Sequence, residues 1–149
     1  MRQRGASLVE LLIVLGISVT MAALTLPSTR TAVNTFQLSS AVTAAASAIQ
    51  STRYQAIMRG YPFAITFSAA NKNYQVSSKP IGAVSFSNVG SAILLSPNQP
   101  ITLSATTTYQ FNPNGTVVVT SGNASFNISA SSGTKTITVS GVGNVSVTP

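Results

Sequence analysis

The acid–base inventory of this chain is almost empty. Among 149 residues there is one carboxylate side chain, Glu10, against eight Lys or Arg, for a net charge of +7, and neither His nor Cys occurs. Carboxylate acid–base catalysis needs a second carboxylate, and zinc or haem ligation draws on the missing His and Cys. Ser, Tyr and Lys remain as nucleophiles or bases, but no S-x-x-K, no G-x-S-x-G and no Gly-rich phosphate loop is present. The composition therefore points away from an enzyme and implies no metal and no cofactor. The absence of Cys says nothing of compartment. What is left is electrostatic chemistry: one carboxylate set in an apolar run.

That run extends over the nineteen residues from Leu8 to Leu26. At 1.5 Å per residue a helix of this length covers ~28 Å, close to the ~30 Å hydrocarbon core of a bilayer. Arg2 and Arg4 precede it with no acid beside them, which keeps Met1 in the cytoplasm and sends everything after Pro27 outward. A carboxylate near the start of such a segment costs on the order of 2–3 kcal/mol on insertion scales. Three readings compete: a secretory signal with small residues such as Ala22 and Ala23 near a cut site, a simple anchor, or a segment whose Glu10 meets a positive group at the same depth when several copies pack. Only the third gives Glu10 a use.

Further along, Pro27 is placed to kink a helix. Thr31 to Met58 continues in helical register, with Val33, Phe36, Ala41, Ala44, Ala45, Ala48, Ile49, Thr52, Ala56 and Ile57 at spacings of three and four. Gly60 supplies a C-cap and Tyr61-Pro62 a stop. From Tyr61 the period changes to two: strands are expected at 61–67, 74–76, 101–103, 108–111, 116–120, 125–129, 136–140 and 145–147. Turns fall at Ala70–Asn73, Asn112-Pro113-Asn114-Gly115, Gly122-Asn123, Ser132-Gly133 and Gly143-Asn144. Residues 79–100 predict a long loop with at most one short strand near Ala92–Leu95. The whole predicts an α+β chain, a long N-terminal helix packed on a small antiparallel β-domain.

Gly5-Ala6-Ser7-Leu8-Val9-Glu10-Leu11-Leu12-Ile13-Val14-Leu15 resembles the class III signal of type IV pilins and type II secretion pseudopilins. Ala6 and Ser7 depart from the Phe and Thr more usual there. Ser51-Thr52-Arg53-Tyr54-Gln55-Ala56-Ile57-Met58-Arg59-Gly60 running into a hairpin, then Tyr109-Gln110-Phe111-Asn112-Pro113-Asn114-Gly115 and the Ile137-Thr138-Val139 strand, are similar to the GspH/FimT minor pseudopilins. The resemblance implies a leader over residues 1–5, an apolar assembly helix over 6–28, an amphipathic continuation over 29–59 and a β-domain over 60–149. It implies cleavage between Gly5 and Ala6 by a prepilin peptidase, N-methylation of Ala6, and a Glu10 that neutralises the amino terminus of a neighbouring subunit. It also implies partners among other minor and major pseudopilins and an inner-membrane assembly platform. The product would be a single-pass inner-membrane protein with a periplasmic domain, later part of a type II secretion pseudopilus. Two alternatives stay open: a minor pilin of a type IV pilus, serving assembly or DNA uptake, and a secreted β-domain binding protein behind an ordinary signal peptide.

After loss of the leader, Arg30, Arg53, Arg59, Lys72, Lys79 and Lys135 stand against Glu10. They are scattered, whereas phosphate binding gains from clustered cations through counterion release. Relatives that bind DNA carry a Gly-Arg-x-Arg-like element where this chain has Gly141-Val142-Gly143-Asn144-Val145-Ser146, so nucleic acid is not expected as a partner. The N-x-[ST] matches at Asn114, Asn123, Asn127 and Asn144 read as strand and turn residues, not as glycosylation sites.

Overall fold

The structure, a computed structural model, describes residues 7–97 and 101–149, with the side chains of residues 23–29 left outside the description. Among the described residues one helix, α1 (Leu8–Arg59), precedes ten strands. The chain divides into two compact units, Met1–Val33 and Asn34–Pro149. No Gly or Pro falls between Pro27 and Gly60, so nothing in the second half of the helix interrupts its hydrogen-bond ladder. At Gly60 the backbone turns left-handed (φ 72°) while its N–H still donates to the Ala56 carbonyl at 3.1 Å, which ends the helix as the sequence predicts.

In the second unit the helix buries Leu38, Ala41, Val42, Ala45, Ala48, Ile49, Thr52 and Ala56. This stripe differs from the expected one. Phe36, Ala44 and Ile57 share the spacing of three and four but lie on the outward arc and are exposed, Phe36 by 75%, whereas Leu38 and Val42 complete the inner arc. The small Ala side chains let the backbone approach the sheets closely, and the Thr52 hydroxyl, buried among them, donates to the Ala48 carbonyl at 2.7 Å.

The strands form two antiparallel sheets. β1 (Phe63–Ser68) lies between β2 (Asn73–Ser78) and β6 (Thr107–Phe111), and β7 (Val117–Ser121) follows β6. In the second sheet the order is β10 (Val145–Thr148), β9 (Gly133–Val139), β8 (Ser125–Ala130) and β5 (Thr102–Leu103). Pairing of Phe63 with Phe111 and of Ile65 with Tyr109 puts the large apolar residues of β1 and β6 on one face. Phe126 and Ile137, paired across β8 and β9, do the same for the second sheet. The two faces meet in an aromatic cluster: the Phe67 ring lies 4.8 Å from Phe126 and 6.5 Å from Tyr109.

Two expectations need correction. Between β2 and β5 there are two short strands where at most one was expected, β3 (Ser87–Asn88) and β4 (Ile93–Leu94), both paired with β2. Each has only two residues, too few to show a period, and the edge of β2 organises them. β9 begins at Gly133, before the expected Thr136, because Ala130 pairs with Gly133 and leaves Ser131-Ser132 as a two-residue hairpin loop.

Candidate functional site

The sequence holds one carboxylate side chain and neither His nor Cys, and the candidate sites are surfaces. Gly5 and Ala6, the expected cleavage point, lie outside the described residues. Glu10 stands in the first turn of α1, solvent-exposed, where the unpaired N–H groups of the helix start favour a negative charge. Around it Leu8, Val9, Leu11, Leu12, Ile13, Val14, Leu15, Ile17, Val19 and Met21 are all exposed, so the helix here is apolar on every side. Its hydroxyls are turned inward on the backbone: Ser18 donates to the Val14 carbonyl at 2.7 Å, and Thr20 to those of Ile17 at 2.8 Å and Gly16 at 3.1 Å. Such back-bonding removes polar groups from the helix surface and suits apolar surroundings. Among the described residues no helix is long and apolar enough to cross a membrane, so the spanning segment expected over 6–28 is not shown by them. The apolar run of the sequence continues to Leu26, into residues 23–29, whose side chains lie outside the description. Pro27 lies within the helical span, its side chain among those outside the description.

The second unit carries Arg53, Arg59, Lys72, Lys79 and Lys135 and not a single Asp or Glu. Three of these cations are placed by neutral groups. Lys135 reaches from β9 to the Ser39 hydroxyl on α1 at 3.3 Å. Arg59 contacts the Tyr61 hydroxyl at 3.4 Å and lies 5.9 Å from the centre of the Phe63 ring. Arg53 donates from Nε to the Gly115 carbonyl at 3.4 Å, and its stem lies against Gly143 so closely that a Cβ there would come within 2.5 Å of Nε. Both glycines have positive φ, 82° and 79°. They belong to the Asn112–Gly115 turn and the Gly141–Asn144 turn, the second being the element that carries no arginine. Arg53 thus fixes two loops remote from it in sequence, a role no local pattern announces.

Tyr109 is the buried ionisable group of this unit. Its hydroxyl is shared between the Asn123 and Ala124 carbonyls, each at 3.1 Å, and burial pushes its pKa up to about 12. It acts as a neutral donor that ties β6 to the loop before β8.

The family model described as type II transport protein GspH matches residues 41–143, more than half of the chain. The match takes in α1 from Ala41 onward and nearly all of both sheets, and it leaves out Glu10 and the apolar run. No curated protein and no solved structure shows a significant match. By its helix, its two sheets and the length of the match, this chain belongs to the GspH family of type II transport proteins.

Proposed function

We propose that the chain is a minor pseudopilin, a structural subunit held in the inner membrane by its N-terminal helix until it joins a periplasmic pseudopilus. In this reading the leader is cut between Gly5 and Ala6, Ala6 is N-methylated, and Glu10 of one subunit neutralises the new amino terminus of another. The observation that carries it is a helix start with apolar side chains exposed on every side and one carboxylate in the first turn, in a chain whose remainder belongs to the GspH family. An unpaired carboxylate in apolar surroundings is costly, and pairing in an oligomer recovers that cost, so correct packing is rewarded. The type II description of the family favours a secretion machine over a type IV pilus.

The intact mass and N-terminal sequence of the membrane-extracted protein test this directly. A start at methylated Ala6 is expected; a start near residue 23 or 24 would return the β-domain to the secreted binding proteins. For the pairing itself, Glu10→Ala should leave processing intact and lower incorporation into the filament. Unchanged incorporation would remove Glu10 from the assembly step.

A further inference from the structure

Arg53 is the most constrained cation of the second unit. It is half-buried, its stem is fixed by Gly143, and its one hydrogen bond, to the Gly115 carbonyl, is long at 3.4 Å. The remaining guanidinium N–H groups have no acceptor among the described residues, and no carboxylate side chain exists anywhere from Asn34 to Pro149. Beside it, one helical turn apart, are apolar groups that the fold leaves outside: Tyr54 is 62% exposed, Met58 65%, and Ile57 also faces solvent. Gln50, Arg53, Tyr54 and Ile57 line a shallow depression of about 290 Å³. A pre-positioned arginine among exposed Tyr, Ile and Met has the composition of an interface centre, where Tyr, Met and Arg are enriched and a few anchors carry most of the binding energy.

We propose that Arg53, Tyr54, Ile57 and Met58 form a docking surface for a different, acidic protein subunit, which brings an Asp or Glu carboxylate to Arg53 and an apolar side chain to the depression. This rests on the reading of the chain as a filament subunit. The charge inventory selects the occupant. A second copy has no carboxylate side chain in this unit to offer, and two such units, each bearing five cations, repel. Nucleic acid fits less well, because phosphate binding draws on several cations along a track and this patch has one guanidinium among three large, mostly apolar side chains.

The test uses the full chain in the cells that make it, with a photoreactive benzophenone amino acid at position 54. Irradiation should join it to another protein at a peptide containing Asp or Glu. In Arg53→Glu the yield should fall ~tenfold or more, as expected for inverting one partner of a desolvated charge pair, and replacing the partner's carboxylate by Lys should restore it. Arg53→Lys, which keeps the charge, should retain most of the yield and guards against a simple folding defect. A crosslink to a second copy, a crosslink to nucleic acid, no crosslink, or a yield indifferent to Arg53→Glu would each overturn the proposal. The mature N-terminus reports on the pseudopilin reading separately: a methylated Ala6 with no crosslink sinks the docking surface alone.

Discussion

The two halves of α1 are both rich in apolar residues and meet opposite fates. Up to Met21 every large apolar side chain is exposed, on all faces of the helix; from Leu38 onward an inner stripe of Leu38, Ala41, Val42, Ala45, Ile49 and Ala56 is buried against the sheets. The difference lies in pattern, not in hydrophobicity. An apolar stripe opposite a polar one can be covered by a single β-domain, but a helix apolar all round needs cover on every side, as in a large core or a membrane. Within its own chain, then, only the second half is given an inner face to bury, and in the proposed reading the first half serves association.

The comparison breaks most visibly with large-to-small substitutions. Phe67 is fully buried and joins Tyr74, Tyr109 and Phe126 in the aromatic cluster. Phe67→Ala should cost the second unit about 3–5 kcal/mol in denaturant unfolding of the detergent-extracted chain. Leu12→Ala, an equally apolar change in the first half, should leave that transition where it was, because Leu12 is exposed and supports no intrachain core. A large destabilisation by Leu12→Ala would show that the halves are not separate in this way.

Glycines give the next largest contrast. Gly122 has φ 76°, and a Cβ there would fall 2.6 Å from Thr107 Oγ1 and 2.7 Å from the Thr106 carbonyl oxygen, part of the backbone and unable to swing aside. Gly122→Ala should cost about 1–3 kcal/mol, through backbone strain and displacement at the β6–β7 pair. Gly16, in the first half, has nothing within 4 Å of an added Cβ. Gly16→Ala should leave the unfolding of the second unit unchanged and raise helix content by circular dichroism, since Ala favours the helix by about 1 kcal/mol.

A smaller effect is confined to alkaline pH. The Tyr109 pKa, raised from 10.0 to about 12 by burial, means that the folded state holds a proton the unfolded chain releases. Its contribution to stability is complete below pH 10 and is lost as the pH rises through about 12. Tyr109→Phe should flatten that part of the profile relative to the unaltered protein. An unaltered slope in the Phe variant would assign the alkaline loss to other groups.

Much of this was legible in the sequence, for local reasons. The helix end at Gly60, the strand pairs around Phe63–Ser78 and the Asn112–Gly115 turn depend on residues close together in the chain, and their positions agree with expectation within a few residues. β3 and β4 were less legible because the edge of β2, not their own sequence, makes them strands. The inner stripe of α1 was blurred because Phe36 and Ile57 keep helical spacing while facing out, and spacing alone does not say which of two arcs the sheets will cover. The cradle of Arg53 was invisible for a different reason: Gly115 and Gly143 meet it only after both sheets have folded. The family match begins at Ala41, whereas the resemblance rested first on Gly5 to Leu15, so the two lines of argument concern different residues.

Hydroxyl groups sharpen the comparison at its smallest scale. In the first half Ser18 and Thr20 hide their hydroxyls in the helix backbone. On the outer face of the second sheet the hydroxyls pair across strands and stay in water, Ser125 with Thr138 at 2.8 Å and Ser129 with Thr134 at 2.8 Å. Thr138→Val keeps the shape and the β-branch but removes one hydroxyl, and Ser125, being exposed, can turn to solvent for the bond it loses. The cost in denaturant unfolding should stay below about 0.5 kcal/mol, as for most exposed substitutions without a special feature. A cost several times larger would mean that this face is not simply wetted and that its paired hydroxyls hold the register of β8 and β9. The inward residues Phe126, Ile128, Ile137 and Val139 already fix that register, because a slip by one position would turn all of them outward.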